Sequence, residues 1–344
     1  MLANDSRYQI DRQSTSFCCP IVAVAIAAFV GTLTKNKQVK MTFKEITTDQ
    51  EWSEAIELRN IYNWSNPISV REERSFYERS KQDRNDVRLV GKTGCTVDSY
   101  ACVMFNRNAG DGSYWLGVYL DPHSDGAKAR GQESVEECQR RIREFGGTKG
   151  IVESRCEYTW ERELFIEMGF ALEVTLPFSC IEVSGTSFGL DPDVITFGEF
   201  LRENPEDGLR QIWRLEMDVA SDLPLPYPFV ETPFETYSKF ITDPVVDLES
   251  KFLFVEGDEL KGLSQLWPSQ VNPTLAATGL TGVRRQYRRQ GVATRTKQHA
   301  IAWASSQGIE RIFTDNEENN PMYQLNLQLG FRHLFNYEVY SKAC

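Results

Sequence analysis

Residues 283–297 read VRRQYRRQGVATRTK, and six of these fifteen are basic: Arg284, Arg285, Arg288, Arg289, Arg295 and Lys297. The whole chain carries a formal charge of −11, so positive charge is concentrated here against the overall sign. Residues 274–283 before the cluster read as a strand, and residues 292–306 after it read as a helix ending at Gly308. Strand, basic loop and helix start together make an anion cradle. Unpaired N–H groups at a helix N-terminus point outward, and the helix dipole adds partial positive charge. Gly291 leaves room for close approach, Ala293 is the next small residue, and the arginines can pair with phosphate oxygens. The spacing Arg288-x-x-Gly291-x-Ala293 suits a pyrophosphate. It lacks the Lys-Ser/Thr of a P-loop and the three glycines of a dinucleotide fingerprint.

Arg-x-x-Gly-x-Gly/Ala after a strand resembles the acyl-CoA pyrophosphate loop of the GNAT N-acetyltransferases. The run TDNEENNPMYQLNLQLGF at 314–331 resembles that family's later motif: a strand ending in Asn, a second Asn, then a helix closing on Leu-Gly-Phe. The resemblance covers residues 194–340. The PLPYP stretch at 224–228 is similar to tandem members of the family, of which mycothiol synthase is one type. The resemblance implies acetyl-CoA as co-substrate and no metal. The chemistry implied is direct attack of a primary amine on the thioester in a ternary complex. Thr281, Gly282 and Val283 would pair their backbone with pantetheine. The amides of Arg289, Gln290, Gly291, Val292, Ala293 and Thr294, beside Arg288, would hold the pyrophosphate. Asn316 and Asn320 would sit across the gap.

Two positions depart from the family pattern. Many members have a tyrosine four residues before the Gly of the Gly-Phe pair, where it protonates the departing thiolate; this chain has Asn326 there, able to donate a hydrogen bond but not a proton. Tyr323 and Tyr337 are the substitutes in reach of the sequence. The strand 274–283 also has no carboxylate to act as base, which leaves Glu256, Glu231 or a water chain. Each candidate has a plain structural alternative. Asn316 and Asn320 read equally as helix caps, Tyr323 as packing, and His299 and His333 as ordinary surface. Trp267 and Tyr287 read as core aromatics or as walls of an acceptor cleft. The missing tyrosine and carboxylate keep open a catalytically inactive CoA-binding or interaction module. A protein acetyltransferase acting on an N-terminus or lysine is the other alternative.

The elements behind these residues alternate between strand and helix, which gives an α/β chain. Residues 86–90, 100–105, 114–120 and 149–154 read as strands, and 132–145 and 158–168 as helices. In the second half, 194–200 reads as a strand, 206–219 and 234–241 as helices, and KFLFVEGDELKGLSQLW at 251–267 as a hairpin. Residues 309–314 follow as a strand, 321–329 as a helix and 331–340 as a strand. Prolines at 224, 226, 228 and 233 make 224–233 an extended loop. Both halves close a helix on Gly-Phe, at 169–170 and 330–331, which suggests a duplicated domain. With the resemblance, this implies two tandem GNAT-like domains at 41–183 and 194–344, joined by a linker at 184–193. Each would be a mostly antiparallel sheet, splayed between its fourth and fifth strands and flanked by helices. The first half has LGVYLDPHSDGAKARGQES at 116–134 where the loop should be. Asp121 and Asp125 there oppose phosphate, so this half reads as a degenerate copy.

A length of 344 residues allows two domains, and 41% hydrophobic with 25% charged residues fits a folded protein. Net acidity argues against a nucleic-acid partner; the resemblance implies an amine acceptor, and a small-molecule amine is the expectation. Eight cysteines without a C-x-x-C pair, and three histidines, argue against a metal site and for a reduced, cytoplasmic protein. Residues 17–33 are an uncharged, mostly apolar run at the short end of a membrane span. Three readings of residues 1–40 stand open: an anchor leaving the bulk of the chain cytoplasmic, a signal peptide, or an over-extended start before Met41. The sequence carries no signal for oligomeric state.

Overall fold

The computed structural model describes residues 40–344 apart from 84, 108 and 224–228. The apolar run at 17–33 and the PLPYP stretch therefore lie outside the described residues. The first half contains β1 (Thr42–Glu45), α1 (Asp49–Tyr62), α2 (Val70–Asp83), β2 (Val87–Thr93), β3 (Thr96–Phe105) and β4 (Ser113–Tyr119). It continues with α3 (Ala127–Glu144), β5 (Lys149–Arg155), α4 (Thr159–Glu167) and β6 (Ala171–Glu182). The second half contains β7 (Val194–Thr196), α5 (Phe197–Glu203), α6 (Gly208–Ala220), α7 (Phe234–Ile241), β8 (Lys251–Glu256), β9 (Glu259–Pro268) and β10 (Leu275–Val283). It closes with α8 (Val292–Ser306), β11 (Arg311–Asp315), α9 (Pro321–Gln328) and β12 (Arg332–Ala343).

Residues 194–200 are not one strand. The Thr196 hydroxyl accepts from Glu199 N at 3.0 Å while the Glu199 carboxylate accepts from Thr196 N at 2.8 Å. This reciprocal cap starts α5 at Phe197 and limits β7 to three residues. The same device, Thr48 with Glu51, starts α1.

All twelve strands join one mixed sheet in the order β1-β2-β3-β4-β5-β12-β6-β11-β10-β9-β8-β7. From either edge the order is five strands of one half, then the sixth strand of the other. β12 pairs with β5 through Tyr337–Ala343 and with β6 on its other side, while β6 pairs with β11. Two splayed sheets are thus merged by exchanged last strands into one. The parallel pairs are β4 with β5 and β10 with β11; the other nine neighbouring pairs in the sheet run antiparallel.

Each parallel pair is short, and this opens the site. β10 is in register with β11 only from Leu275 to Ala277, opposite Arg311 to Phe313. It then continues to Val283 with no partner on that side and shifts register against β9 between Thr278 and Thr281. β4 likewise leaves β5 after Leu116. Helix α8 packs on one face of the second half through Ala300, Ile301 and Ala304 against Phe252, Leu266 and Ile312. Helices α5 to α7 cover the other face through Phe197, Ile212 and Tyr237. Among the described residues no helix is long and apolar enough to cross a membrane.

Candidate functional site

The turn from β10 into α8 runs through Arg289 at φ 62° and Gly291 at φ 80°, both left-handed. Gly291 is the N-cap of α8, and a Cβ built there meets nothing within 4 Å. The first helical bond goes from Arg295 N to Gly291 O at 3.0 Å. The amides of Val292, Ala293 and Thr294 therefore precede the helix's own acceptors and face outward without a side-chain cap.

The basic residues around this turn divide into three groups. Arg284 pairs with Asp218 at 2.9 Å, and Arg285 and Arg288 share Asp222, holding its carboxyl below the usual carboxylate range. Arg288 also donates to Val283 O at 3.0 Å, which ties the loop to the end of β10. Arg295 forks onto Asp191 at 2.7 Å through two nitrogens and reaches Asp193 at 2.5 Å. Arg289 is exposed and has no ion pair among the described residues. Lys297 is only 3% exposed. The sequence cluster is thus mostly internal pairing with acids of α6, of the turn just after it and of the segment before β7, leaving Arg289 as the loop's unpaired surface cation among the described residues.

A cleft of ≈ 1090 Å³ lies where β10 leaves β11. Of the residues singled out in the sequence, it is lined by Thr281, Gly282, Val283, Arg288, Arg289, Gly291, Val292, Ala293, Thr294, Asn316 and Asn320. Gln290 is not in its wall. Asn326 is fully buried behind it and donates through Nδ2 to Asn316 Oδ1 at 2.5 Å, so it orients a cleft residue instead of lining the cleft. Asn320 caps α9, its Oδ1 accepting from Met322 N at 2.9 Å, and lines the cleft as well. Capping and cleft contact coexist there.

The proposed acid–base residues are not brought to this cleft. Tyr323 lies on α9 outside the lining. Tyr337 is buried on β12 beside Phe178 and Phe335, and burial pushes its hydroxyl well above the ordinary tyrosine value. Glu256 stands at the β8–β9 turn in an ion pair with Lys261, and Glu231 is exposed. Trp267 lies against the Lys251 ammonium, 3.7 Å from its ring centre. His299 is not surface: it is 7% exposed, its Nδ1 accepts from Asp191 N at 2.9 Å, and burial lowers its pKa. His333 bonds Asn336 at 2.7 Å. Tyr287 does line the cleft, with its hydroxyl donating to Glu259 at 2.6 Å.

Two carboxylates emerge that the strand 274–283 did not offer. Asp315 ends β11 and lines the cleft beside Asn316. Glu153, on β5, is close enough for Asp315 to raise it further. Burial, then Asp315, pushes Glu153 up to about 8, and burial raises Asp315 too. Both side chains are nonetheless exposed, so water screens them and raises them less than full burial would. Asp315 was visible in the sequence as the residue before Asn316. Glu153 carried no signal, because only the strand exchange brings β5 toward β11.

The first-half turn keeps more of the cradle than its sequence suggests. Gly126 is the left-handed N-cap of α3 at φ 77°, close to the Gly291 value. The surroundings differ. Trp160 donates to Pro122 O at 3.2 Å, Arg130 folds back onto Ser124 at 2.6 Å, and Lys128 is paired with Glu163 and Glu167. Among the described residues, no group of His, Cys, Asp and Glu could hold a metal ion.

Residues 212–331 match the model of the acetyltransferase (GNAT) family. This segment contains β10, the Gly291 turn, α8, β11 and α9. This segment therefore resembles the GNAT acetyltransferases, and the fold of the described chain is that of tandem GNAT proteins. A GCN5-related N-acetyltransferase from Sphaerobacter thermophilus superposes with a TM-score of 0.65 at 16% identity, covering 88% of this chain and 95% of that one. A tandem GNAT protein from the clavulanic acid biosynthesis pathway also gives 0.65, at 14% identity over 88% and 98%. A GNAT-family acetyltransferase from Colwellia psychrerythraea gives 0.56, at 14% identity over 88% and 100%. No curated protein matches the sequence significantly. At these identities the structures speak to fold alone, and the family supports acyl transfer in general terms.

Proposed function

We propose that the chain is an N-acetyltransferase that moves an acetyl group from acetyl-CoA to a primary amine, by direct attack in a ternary complex. The second half holds the co-substrate, and the first half, with its filled turn, shapes the molecule without a cofactor site of its own. The observation that carries this reading is the Gly291 turn: a left-handed glycine with open space before it, followed by outward-facing amides, at the end of a strand that has just left its neighbour. Those amides and Arg289 would take the pyrophosphate. The unpaired edge from Thr278 to Val283 would take the pantetheine amides, as an added strand would.

Asp315 and Glu153 replace Glu256 as the groups suited to receive the amine's proton. A carboxyl raised toward neutrality is a better base at physiological pH than an ordinary one. A carboxylate in the cleft with a second one near it also suits an acceptor that arrives as a cation. The test is release of CoA from acetyl-CoA against a panel of small amines, peptides with free N-termini and lysine peptides. Turnover on small amines supports the reading. Turnover on peptides alone would make the acceptor a protein. Binding of acetyl-CoA without turnover on any of them would make the chain a CoA-binding module, the alternative favoured by the buried, proton-poor Asn326.

A further inference from the structure

Lys297 belongs by sequence to the basic cluster, yet it does not join the phosphate end of the cleft. It lies in the second turn of α8, and its side chain lines the cleft together with Thr278 and Thr314. These are the first residues beyond the last registered pair of β10 and β11, Ala277 with Phe313. The Thr278 hydroxyl donates to Thr314 Oγ1 at 2.6 Å, closing the apex where the strands part. Lys297 also borders the small hollow beneath that apex, with Ser264 and Thr278. Along β10, Thr278 is five residues from Val283, about 17 Å at the rise of a strand. The ammonium therefore belongs to the inner end of the cleft, at the apex where the strands part, with this stretch of β10 between it and the strand's loop end.

The second observation is that this ammonium has no partner. Lys297 is 3% exposed, and among the described residues it makes no hydrogen bond and no ion pair. Its nearest cationic contact is the Phe331 ring, at 5.6 Å. A buried stem that brings an ammonium with three donors and no protein acceptor to the cleft wall suits an anion that arrives with the ligand. Burial alone lowers its pKa to about 8; no charged neighbour contributes. The titratable groups lining the same cleft are Asp222, Tyr287, Arg288, Arg289 and Asp315. Asp222 is already neutralised by Arg285 and Arg288.

Resting on the acyl-CoA reading above, we propose that Lys297 meets the sulfur of the thioester and supplies the proton that the departing CoA thiolate requires. As the acceptor nitrogen forms its bond to the acyl carbon, the carbon–sulfur bond breaks and its electron pair passes to sulfur. Lys297 gives a proton to that sulfur and leaves as a neutral amine, which is reprotonated from water through the cleft. The proton lost by the acceptor nitrogen goes to the Asp315 carboxylate, so each proton has a donor and a destination. This fills the place left by Asn326 with a residue from the opposite helix.

The test uses CoA itself and the full chain. The thiol of bound CoA is titrated by the ultraviolet absorbance of its thiolate in the wild type, Lys297→Met and Lys297→Arg. An ammonium beside the sulfur lowers the thiol pKa by about 1–3 units in the wild type, the usual effect of an opposite charge within about 4–6 Å. Lys297→Arg keeps that shift and Lys297→Met loses it. Lys297→Met also loses about 10²–10⁴-fold in kcat, the range of a general acid, while acetyl-CoA affinity stays within about threefold by calorimetry. Methionine fills the same space without a buried charge, so the variant is expected to fold, and its melting curve checks this. Equal thiol pKa values in wild type and Lys297→Met would overturn the proposal, as would an unchanged kcat. An acetylated Lys297 found by mass spectrometry after incubation with acetyl-CoA would overturn it as well, making the residue an acceptor. If the wild type binds neither CoA nor acetyl-CoA, the acyl-CoA reading falls and this proposal falls with it. Binding without a thiol shift removes this proposal alone.

Discussion

A charge placed at Gly291 is the sharpest probe of the cradle, and its effect can be separated from strain by a paired control. Gly291 sits at φ 80°, where any residue with a Cβ costs about 1–2 kcal/mol. Gly291→Ala and Gly291→Glu both incur that strain, and neither Cβ meets an obstacle within 4 Å. Only Gly291→Glu adds a carboxylate where the phosphates are expected. At a separation of about 5 Å, repulsion from one phosphate charge is about 0.8 kcal/mol at the dielectric of water and about 3.3 kcal/mol at an effective value of 20. Acetyl-CoA affinity should therefore fall by about 4- to 250-fold relative to Gly291→Ala, a range that brackets the about tenfold, or about 1.4 kcal/mol, of one decade. Calorimetric titration of both variants at one ionic strength measures it, with melting curves to show that both are folded. Equal affinity in the two folded variants would refute the reasoning, since the glycine would then be needed only for its backbone.

Equilibrium dialysis should give close to one acetyl-CoA per chain, abolished by Gly291→Glu; two per chain, with one surviving that change, would show that the Gly126 turn also binds. Asp315→Asn should lower kcat and remove an acid limb of the rate profile lying above the ordinary carboxylate range, because burial raises this carboxyl and it must be deprotonated to act; an unchanged profile excludes it as the base. Tyr323→Phe and Tyr337→Phe should each lose less than about threefold in kcat, far from the about 10²–10⁴-fold of a lost general acid, since neither lines the cleft. Lys297 binds its proton less tightly folded than unfolded, about 8 against 10.5, so the unfolded chain holds more protons between those values and stability should rise with pH across them, by on the order of 3 kcal/mol. Lys297→Met should flatten that slope in denaturant melts and be the more stable protein at neutral pH.

The sequence carried the site's scaffold better than its chemistry. The Arg288-x-x-Gly291-x-Ala293 spacing located the turn, and α7 and α8 begin and end where the apolar period and Gly308 place them. Periodicity is weaker elsewhere. Helices α1 and α2 mix charged residues among their buried positions, and in α1 the Thr48–Glu51 cap is the stronger signal. The misread arginines show a general limit. A basic run announces charge but not its partners, and Asp218, Asp222 and Asp191 are supplied by segments about 60 to 100 residues away in sequence. Lys297 was more legible than it looked. It shares a helical face with Ala300, Ile301 and Ala304, all buried, so the period of α8 already turns it inward. Glu153 could not be found this way, because its relation to Asp315 depends on which long strand pairs with which. β6 and β12 have equal length, twelve residues each, and both follow a Gly-Phe helix end.

That strand exchange also bears on how the chain is made. During synthesis β1 to β6 emerge first, but the neighbour of β5 is β12, the last of the twelve strands to leave the ribosome. Until then the edge of β5, including the buried residues Ile151, Val152 and Arg155, has no partner on that side. The nascent first half must either wait with an open edge, a known invitation to mispairing, or pair β5 provisionally with its own β6 and later let β12 in between. In either case the two halves become native together, once β12 has emerged, and a pulse-labelled chain arrested before Arg332 should stay protease-sensitive throughout β1 to β6 instead of showing a finished first domain.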